Sequence, residues 1–533
     1  MRKNKLPRVK NSRFSASKLF GSSVSYELSR KYVFPSLHPR INKPRFSRSK
    51  NKNIIKSIGD IEFLKVKIDF WFIAFLFISF AFLYSALAVI RHNHFQSQGI
   101  DFSIYDQALW LYSQLEKPHS TITNLLDLAD RFRPIMIPLS LLYFFTDNER
   151  VILLFQAVFL SASVFPIWLI ARQNLPRIMA VVVSLIYLDF IGIQSASVYD
   201  FHEMSMLPFF LAWLFYFLIK RKWNFYFLFL FLSLSVREHV GFLLSTLGIY
   251  IFLIKRDVKV ATMTTIISLF WSILAVRVIM PALGQGGYES FLQKGDTLET
   301  AMLEYLSNPH LAINNFFFPY QKTQTLFWSF FSFGLMPLIY LPLLPAILYQ
   351  FASRFLDQLH PIRWTLFFHY SAELAVLMSI STIFATKIVL GQLRHLKYAV
   401  IIVTVLLLVT HLFTNSVLNS PLKLILNPEF YKHKSWMDNT SVVLTKIPQN
   451  ASVAAQNNLL PHLSHRREIY LLPKVNNAEY IIIDLHSGQN DWNFYTENLE
   501  STKALVKHLV VSNLYKPIVS SGDTYLFRRV EKY

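Results

Sequence analysis

The stretch that decides the fold lies at residues 71–90 and reads WFIAFLFISFAFLYSALAVI. These twenty residues carry no charge. At about 1.5 Å of helical rise per residue they match the hydrocarbon core of a bilayer, which is about 30 Å thick. The whole chain is consistent with a membrane location, since its 533 residues are 53% hydrophobic and 16% aromatic. This composition is typical of a polytopic membrane protein and excludes an ordinary soluble multidomain protein.

Positive charge is concentrated before this first span. The net charge is +21, and residues 1–67 hold 18 Lys or Arg against three acidic residues, a surplus of 15. Such a bias predicts a cytoplasmic N-terminus by the positive-inside rule. We therefore predict that residues 1–66 form a basic, disordered cytoplasmic tail that contacts anionic membrane lipids, and we expect no nucleic-acid partner.

Further apolar stretches predict additional spans in a plasma-membrane protein. If the N-terminal tail is cytoplasmic, three of the connecting loops are cytoplasmic as well. These three loops carry basic residues, at 172–177, 220–222 and 255–259. Residues 67–418 are expected to form an all-α polytopic membrane bundle of about eleven transmembrane helices with a large first extracytoplasmic loop at 91–150. An odd number of spans places the C-terminus outside the cell.

The composition of residues 419–533 changes to that of a soluble protein. Short strand-like runs alternate with helix-like stretches, which predicts a small α/β extracytoplasmic domain. The predicted strands lie at 452–455, 468–472, 480–485 and 524–528, and the clearest predicted helix lies at 497–511. The chain has no cysteine, which excludes disulfides, thiolate catalysis and cysteine-ligated zinc.

Two carboxylates, Asp101 and Asp106, follow the first span in the segment GIDFSIYDQALW at residues 99–110. Charges so close to hydrocarbon are costly, so this pair is a functional-site hypothesis. Aromatic spacing predicts an interfacial amphipathic helix from about residue 101 to 115, with Asp106 off its apolar stripe. Asp101 could instead cap that helix. Asp106 could orient a base, bind a divalent cation, accept a hydrogen bond from a sugar, or simply face solvent.

A second group of polar residues falls in other loops predicted to lie outside. Asp200, His202 and Glu203 offer oxygen and imidazole ligands that suit a divalent cation, Mg²⁺ or Mn²⁺, or an acceptor hydroxyl, although Asp200 could simply cap a helix. Arg237 is the candidate phosphate ligand, because the positive-inside bias disfavours arginine there and its planar fork suits phosphate. Its alternative is an internal ion pair with Glu238.

The remaining candidates carry weaker signals. Lys322, Arg363 and His369 could bind phosphate or simply extend to the outer interface. The glycine run at 284–287 lacks the strand, Lys and Ser/Thr context of a phosphate-binding loop, so we expect a flexible loop. His462 and His465 are compatible with a polar surface or with substrate capture, and we assign them no catalytic role.

Four segments resemble a family of predicted integral membrane proteins of unknown function that is placed within the GT-C glycosyltransferase superfamily. They read GIDFSIYDQALW at 99–110, YDFHE at 199–203, FHYSAE at 368–373 and NNLLPHLSHRR at 457–467. The resemblance covers about residues 69–533 and leaves out the basic tail. It implies a GT-C-like architecture and a glycosyltransferase reaction class, but no particular sugar.

The resemblance also implies roles for individual residues. GT-C enzymes take sugar from a polyprenyl-phosphate carrier and use an acidic residue of the first extracytoplasmic loop as catalytic base. Asp101 matches that position, and Asp106 is the second catalytic candidate. A carboxylate can remove the proton of an acceptor hydroxyl as it attacks the anomeric carbon, which predicts transfer with inversion to a glycan, lipid or protein. Arg237 would stabilise the lipid-phosphate leaving group.

Two other function classes are compatible with the same sequence. A transporter or flippase of a lipid-linked sugar would use charges at the membrane midplane and broken helices. Here the acidic and histidine residues collect at one face and the predicted spans are nearly free of charge, which favours an enzyme. A non-catalytic scaffold that presents the α/β domain would lose function on truncation after residue 415 and tolerate changes of the loop carboxylates. The oligomeric state is not predicted.

Overall fold

The structure, a computed structural model, describes residues 52–284 and 298–530. Most of the predicted basic tail therefore lies outside the described residues, as do two of the three glycines of the run at 284–287. From Lys52 onward the chain is helical, so the last part of the predicted tail already belongs to the first helix. The described residues from Leu64 onward form one compact unit.

The first helix and the loop that follows it contain short elements. The helices are α1 (Lys52–Asn93), α2 (Ile104–Ser113), α3 (Asp127–Asp130) and α4 (Met136–Leu139), and the strands β1 (His119–Ser120) and β2 (Leu125–Leu126) pair antiparallel. The predicted interfacial helix is present as α2. It is buried over most of its length, however, because the C-terminal domain packs onto it.

The membrane part follows as a series of helices, most of which are apolar. They are α5 (Arg150–Ala162), α6 (Val164–Asn174), α7 (Arg177–Leu188), α8 (Ile191–Val198), α9 (Leu207–Ile219), α10 (Trp223–Leu234), α11 (Val240–Lys255), α12 (Val258–Leu274), α13 (Met280–Ala282), α14 (Leu298–Ser307), α15 (Pro309–Phe317), α16 (Tyr320–Phe331), α17 (Leu344–Phe355), α18 (Ala372–Gln392) and α19 (Ala399–Val417). Short 3₁₀ turns lie at Ser140–Phe144, Glu203–Met206, Met336–Leu338, Leu341–Leu343 and Pro361–Trp364, and single π-helical turns lie at Gly99–Ser103 and Ala275–Ile279.

The described helices confirm a multi-helix membrane protein. Five are long and apolar enough to cross a membrane, and a sixth span results if α7 and α8, bent by 44°, are counted together. The predicted count of about eleven is not reached by this criterion, because several predicted spans are short. For example, α10 has 12 residues and α11 has 16.

Helix α18 lies at the centre of the membrane part. In its most apolar stretch 67% of the residues are buried, compared with 28% for the peripheral span Val258–Ala282. A helix that is apolar on all sides is expected in such a position. Helices α16 and α17 are joined by a turn that contains Pro337 and Pro342. Proline cannot donate a backbone hydrogen bond and ends helices at such points.

The C-terminal residues form a mixed five-stranded sheet with two helices. Its elements are α20 (Ser435–Leu444), β3 (Val453–Ala455), β4 (Ile469–Leu471), β5 (Tyr480–Asp484), α21 (Leu499–Val511), β6 (Tyr515–Ser521) and β7 (Thr524–Arg529), with 3₁₀ turns at Pro421–Leu426, Pro428–Tyr431, Leu460–His462 and Asp491–Phe494. The strand order is β4-β3-β5-β7-β6, with β3 parallel to both of its neighbours and β7 antiparallel to both of its own. The predicted small sheet domain is confirmed.

Both faces of this sheet are covered, as the alternation of side chains along β5 shows. Ile482 packs in a cluster with Met437 of α20 and with Phe95 from the end of α1. Ile481 and Leu509 of α21 pack in a separate cluster on the opposite face. Successive residues of a strand point to opposite faces of the sheet, so these two clusters lie on different faces. The face that carries Ile482 packs against the membrane part through Phe95.

Candidate functional site

Asp101 occupies the π-helical turn between α1 and α2. Its Oδ2 accepts a hydrogen bond from the Tyr199 hydroxyl at 2.7 Å, and its Oδ1 lies 3.4 Å from Nε2 of His202. The carboxylate is 28% exposed. Burial alone would raise the pKa of Asp101, but the interactions with His202 and Tyr199 outweigh it and lower that pKa. The capping alternative is wrong, because the residue before α2 is Ser103 and no side chain caps that helix.

Asp200 anchors the second polar segment to the end of α1. It is 1% exposed, and its Oδ2 accepts a hydrogen bond from the backbone N–H of Gln98 at 2.8 Å. Its Oδ1 lies 3.8 Å from the guanidinium of Arg91. Burial raises the pKa of Asp200, and Arg91 opposes that effect. The structure does not show Asp200 as a helix cap, since the following 3₁₀ turn has no side-chain cap.

His202 and His369 stack on each other. Their ring centroids are 3.5 Å apart and the planes are inclined by 20°. The Tyr105 ring also contacts His202, with the two ring centroids 4.9 Å apart. Burial lowers the pKa of His369 far below its usual value, and the nearby His202 and Arg237 lower it further. His369 is therefore a neutral imidazole, and within the described part of the chain its Nδ1 has no hydrogen-bond partner.

Arg237 pairs with carboxylates on both sides. Its Nη1 lies 3.3 Å from Glu203 Oε1, and its Nε lies 3.7 Å from Glu238 Oε1. The predicted alternative of an internal ion pair is therefore part of the geometry. Burial would lower the pKa of Arg237, but these carboxylates raise it, so the guanidinium stays charged. Glu238 also accepts a hydrogen bond from the backbone N–H of Phe132 at 2.9 Å.

These contacts bring most of the predicted residues together. We refer to Asp101, His202, Glu203, Arg237 and His369 as the polar cluster. Tyr105 links its two halves, because its ring contacts His202 and also lies 4.3 Å from the guanidinium of Arg133, whose Nη1 is 4.0 Å from Glu203. Asp200 and Glu238 border the cluster.

Asp106 faces a different set of partners. It is fully buried and accepts hydrogen bonds from the hydroxyls of Tyr143 and Ser464. His465 forms an ion pair with it at 3.2 Å and with Asp147 at 2.7 Å. Although burial lowers the pKa of His465, Asp106 and Asp147 raise it to about 9. The alternative in which Asp106 simply faces solvent is wrong, because the C-terminal domain covers that side of α2.

The first and fourth family-like segments contact each other directly. Gly99 N–H donates to the backbone oxygen of Asn457 at 2.6 Å, and Ile100 N–H donates to its side-chain oxygen at 3.0 Å. A Cβ atom at Gly99 would lie 2.8 Å from Leu460, so only glycine permits this approach. On α2, Gln107 donates to the backbone oxygen of Arg466 at 3.1 Å. These residues form the docking surface for the C-terminal domain.

Several residues that complete these sites were not predicted. Tyr199 binds Asp101, and Arg133 is held by Asp127 through contacts of 2.7 and 2.5 Å. The sequence does contain a signal for Arg133. Acidic residues precede this arginine and two prolines follow it, which is unusual beside a membrane. By contrast, Lys322 is not a phosphate ligand in this geometry, because its ammonium donates to the backbone oxygens of Asn315 and Phe355.

The predicted Mg²⁺ or Mn²⁺ site has no preformed ligand set in the polar cluster. Within the described residues, no three of the predicted acidic and histidine residues bring ligand atoms within 4.8 Å of one another. The Asp101 carboxylate is partly exposed, whereas the Glu203 carboxylate is buried and paired with Arg237, so the two do not form a shared ligand set. Metal dependence of this site therefore stays a prediction.

The solved structures that are similar to this chain include two that are named for glycan-transfer proteins or their lipid carrier. ArnT from Cupriavidus metallidurans, solved bound to undecaprenyl phosphate, has a TM-score of 0.49 and 12% identity, with 86% of this chain and 98% of that chain covered. The Archaeoglobus fulgidus oligosaccharyltransferase, solved tethered to an acceptor peptide, has a TM-score of 0.43 and 12% identity, with 86% of this chain and 74% of that chain covered. At these scores neither likeness says what this chain binds.

Comparison at the level of sequence identifies the family. No curated protein matches the chain significantly. The family described as a predicted membrane protein (DUF2079) matches residues 91–513, which contain all four of the segments quoted above. This match covers most of the chain and includes the polar cluster and the docking surface. The chain therefore belongs to the DUF2079 family of predicted membrane proteins.

Proposed function

We propose that this protein is a GT-C-type membrane glycosyltransferase that transfers a sugar from a polyprenyl-phosphate-linked donor to an extracytoplasmic acceptor with inversion. The observation that carries the proposal is the partly exposed Asp101 carboxylate, held by Tyr199 and His202 in the same polar cluster as the largely buried Arg237. The four family-like segments support the reaction class, since three of them supply residues of the polar cluster.

Asp101 acts as the general base in this proposal. Its lowered pKa keeps it ionised near neutral pH, so it can take the proton of an acceptor hydroxyl. The hydroxyl oxygen forms a bond to the anomeric carbon as the bond from that carbon to the phosphate oxygen breaks. The bonding electrons leave with the polyprenyl phosphate. A single displacement of this kind inverts the configuration.

Arg237 stabilises the leaving phosphate. A guanidinium suits this role because it stays charged and presents its donors in a planar fork. In the structure its Nη1 is 3.3 Å from Glu203, and its Nε has no hydrogen-bond partner within the described residues. Glu203 and Glu238 hold the guanidinium in place, and phosphate would bind at the donors of the fork that these two carboxylates do not face. The neutral His369 contributes a hydrogen bond to a sugar hydroxyl.

Asp106 has a docking role in this proposal and no catalytic one. Its hydrogen bonds to Tyr143 and Ser464 and its ion pair with His465 occupy the carboxylate fully. We further propose about eleven spans, a cytoplasmic N-terminus and an extracytoplasmic C-terminal domain, which together place the polar cluster at the outer membrane face. A Mg²⁺ or Mn²⁺ ion bound with the donor remains compatible with this arrangement.

Substitution of Asp101 tests the proposal. Full-length protein in detergent is supplied with polyprenyl-phosphate sugars and membrane-derived acceptors, and free polyprenyl phosphate is quantified by mass spectrometry. We expect Asp101→Asn to lower turnover by about 10²–10⁴-fold, the usual contribution of a general base. The matched control is Asp438→Asn, a carboxylate that is 71% exposed in the C-terminal domain.

The outcomes separate the rival functions. Equal turnover in the wild type and Asp101→Asn would remove Asp101 from the mechanism. Movement of a lipid-linked sugar across proteoliposomes without bond transfer would establish a flippase instead. Parallel assays with EDTA, Mg²⁺ and Mn²⁺ determine whether the reaction needs a divalent cation.

A further inference from the structure

We propose that His92, Glu149 and His462 form a binding site for one divalent transition-metal ion, with zinc the expected ion. The three residues come from the end of α1, the residue before α5 and the C-terminal domain. The ion would fasten the C-terminal domain to the membrane part. This inference concerns assembly of the protein and does not depend on the proposed glycosyl transfer.

The ligand atoms of the three residues already converge. Glu149 Oε1 lies 3.1 Å from His92 Nε2 and 4.0 Å from His462 Nδ1, and one ligand atom from each residue lies within 4.8 Å of the other two. In tetrahedral zinc sites with bonds of about 2.0–2.1 Å, neighbouring ligand atoms are about 3.4 Å apart. The observed separations bracket this value, so small side-chain movements suffice to bind an ion.

The surroundings of the two imidazoles favour metal coordination. His92 is 0% exposed, and its other ring nitrogen, Nδ1, lies 3.2 Å from the Ser97 hydroxyl, which orients the ring as outer partners of metal-bound histidines do. His462 is 10% exposed, and within the described residues its Nε2 is buried without a hydrogen-bond partner. The ring nitrogen that faces Glu149 is Nδ1, so the metal would bind there and Nε2 would be the outer nitrogen of this ring.

Open space lies next to this group. A cavity of about 380 Å³ is lined by His462 together with Asn93, Phe95 and Arg150. Three protein ligands leave the fourth position of a tetrahedral ion open, and this cavity has room for water in that position. Two imidazoles and one carboxylate suit zinc and related transition metals better than Mg²⁺ or Ca²⁺, which prefer oxygen ligands only.

Arg150 is the charged neighbour that must be accommodated. Its Nη1 lies 2.6 Å from Glu149 Oε1, the same oxygen that faces the histidines. Its Nε also donates to Asn93 at 2.7 Å, so the side chain has a second anchor at the cavity wall. A carboxylate can accept several bonds, so Arg150 can hold Glu149 from outside while the ion binds within.

Metal binding by the full-length protein tests the proposal. Protein purified without a polyhistidine tag is stripped with EDTA and titrated with Zn²⁺, whose binding is measured by competition with a chelating dye and by mass spectrometry of metal content. Co²⁺ serves as a second probe, because its visible absorption reports coordination by nitrogen and oxygen. We expect one ion per chain in the wild type.

Variants locate the site. Glu149→Gln and His462→Gln should no longer bind one Zn²⁺ per chain and should lose the Co²⁺ spectrum. Ser97→Ala should still bind Zn²⁺, but about 10- to 100-fold more weakly, because it loses only an outer partner of His92. His433→Gln is the matched control, because that histidine is 54% exposed in the same domain. Limited proteolysis should release the C-terminal domain faster from stripped wild-type protein than from zinc-loaded protein.

The results decide the matter in either direction. Absence of Zn²⁺ and Co²⁺ binding by the wild type at micromolar concentrations would overturn the proposal, and this measurement does not depend on the folding of any variant. Unchanged stoichiometry in both Glu149→Gln and His462→Gln would overturn the assignment to these ligands. The two proposals can fail separately. If the wild type binds Zn²⁺, the two variants do not, and no sample transfers sugar, then the metal site is established and the proposed glycosyl transfer is refuted.

Discussion

Docking of the C-terminal domain should weaken as pH rises, because His465 is one of its contacts. His465 is 12% exposed and lies between the carboxylates of Asp106 and Asp147. Burial lowers its pKa, yet the two carboxylates raise that pKa from 6.5 to about 9. One pKa unit corresponds to about 1.4 kcal/mol, so this rise amounts to about 3 kcal/mol of docking free energy.

The direction of the effect follows from the raised pKa. The stabilisation is fully present below about pH 6.5, the value of an undocked histidine, and is lost as the pH rises through about 9. Between these limits the equilibrium between docked and undocked domain should shift by about 100-fold. His465→Gln lacks this contribution at every pH.

Hydrogen exchange measured by mass spectrometry provides the assay. Peptides that cover residues 104–113 and 461–467 report both sides of the docking surface, after correction for the intrinsic effect of pH on exchange. We expect about 100-fold lower protection of the wild type at pH 9.5 than at pH 6, little change in His465→Gln, and wild-type behaviour in His433→Gln. Equal pH dependence in the wild type and His465→Gln would refute the reasoning.

Three further substitutions test individual contacts. Asp127→Asn leaves a buried guanidinium without its closest carboxylate, so thermal unfolding in detergent should show a loss of about 3–5 kcal/mol; an unchanged melting temperature would contradict this. Tyr199→Phe removes a hydrogen bond to Asp101, so the pKa of Asp101 should rise and the acid limb of the pH–rate profile should move to higher pH. Gly192→Ala places a Cβ atom 2.5 Å from a backbone oxygen and should lower stability by about 1–3 kcal/mol, whereas Gly391→Ala, with nothing within 4 Å, should not.

The secondary structure of the C-terminal domain was largely predictable. Four predicted strands correspond to β3, β4, β5 and β7, and the predicted helix at 497–511 corresponds to α21. Strand β6 was missed because it contains Pro517, which argues against a strand interior. The structure places that proline at the sheet edge beside a register shift, where a missing N–H is tolerated.

The candidate site was predictable only in part. Asp101, His202 and Arg237 were identifiable because polar residues beside a membrane are costly and need a reason. Their partners Tyr199 and Tyr105 gave no comparable signal, since aromatic residues are common in this chain. Contacts between buried polar groups depend on how distant segments pack.

Asp106 shows most clearly where local reasoning ends. The spacing of aromatic residues predicts that it lies off the apolar stripe of α2, but the side chain of Ser464, which covers it, is 358 positions away in the chain. No periodicity within α2 can reveal that the sheet domain packs on that face. The same is true of Gly99, whose need for glycine comes from Leu460.

The sequence by itself determined the membrane class, the small sheet domain and the identity of most polar site residues, because length, hydropathy and charge act through the bilayer and through local periodicity. Only the tertiary structure decided which of those residues meet. It paired Asp101 with Tyr199 and His202, and it assigned Asp106 to docking. The physical reason is that a buried charge is stable only beside a specific partner, and that partner is selected by packing across the whole chain.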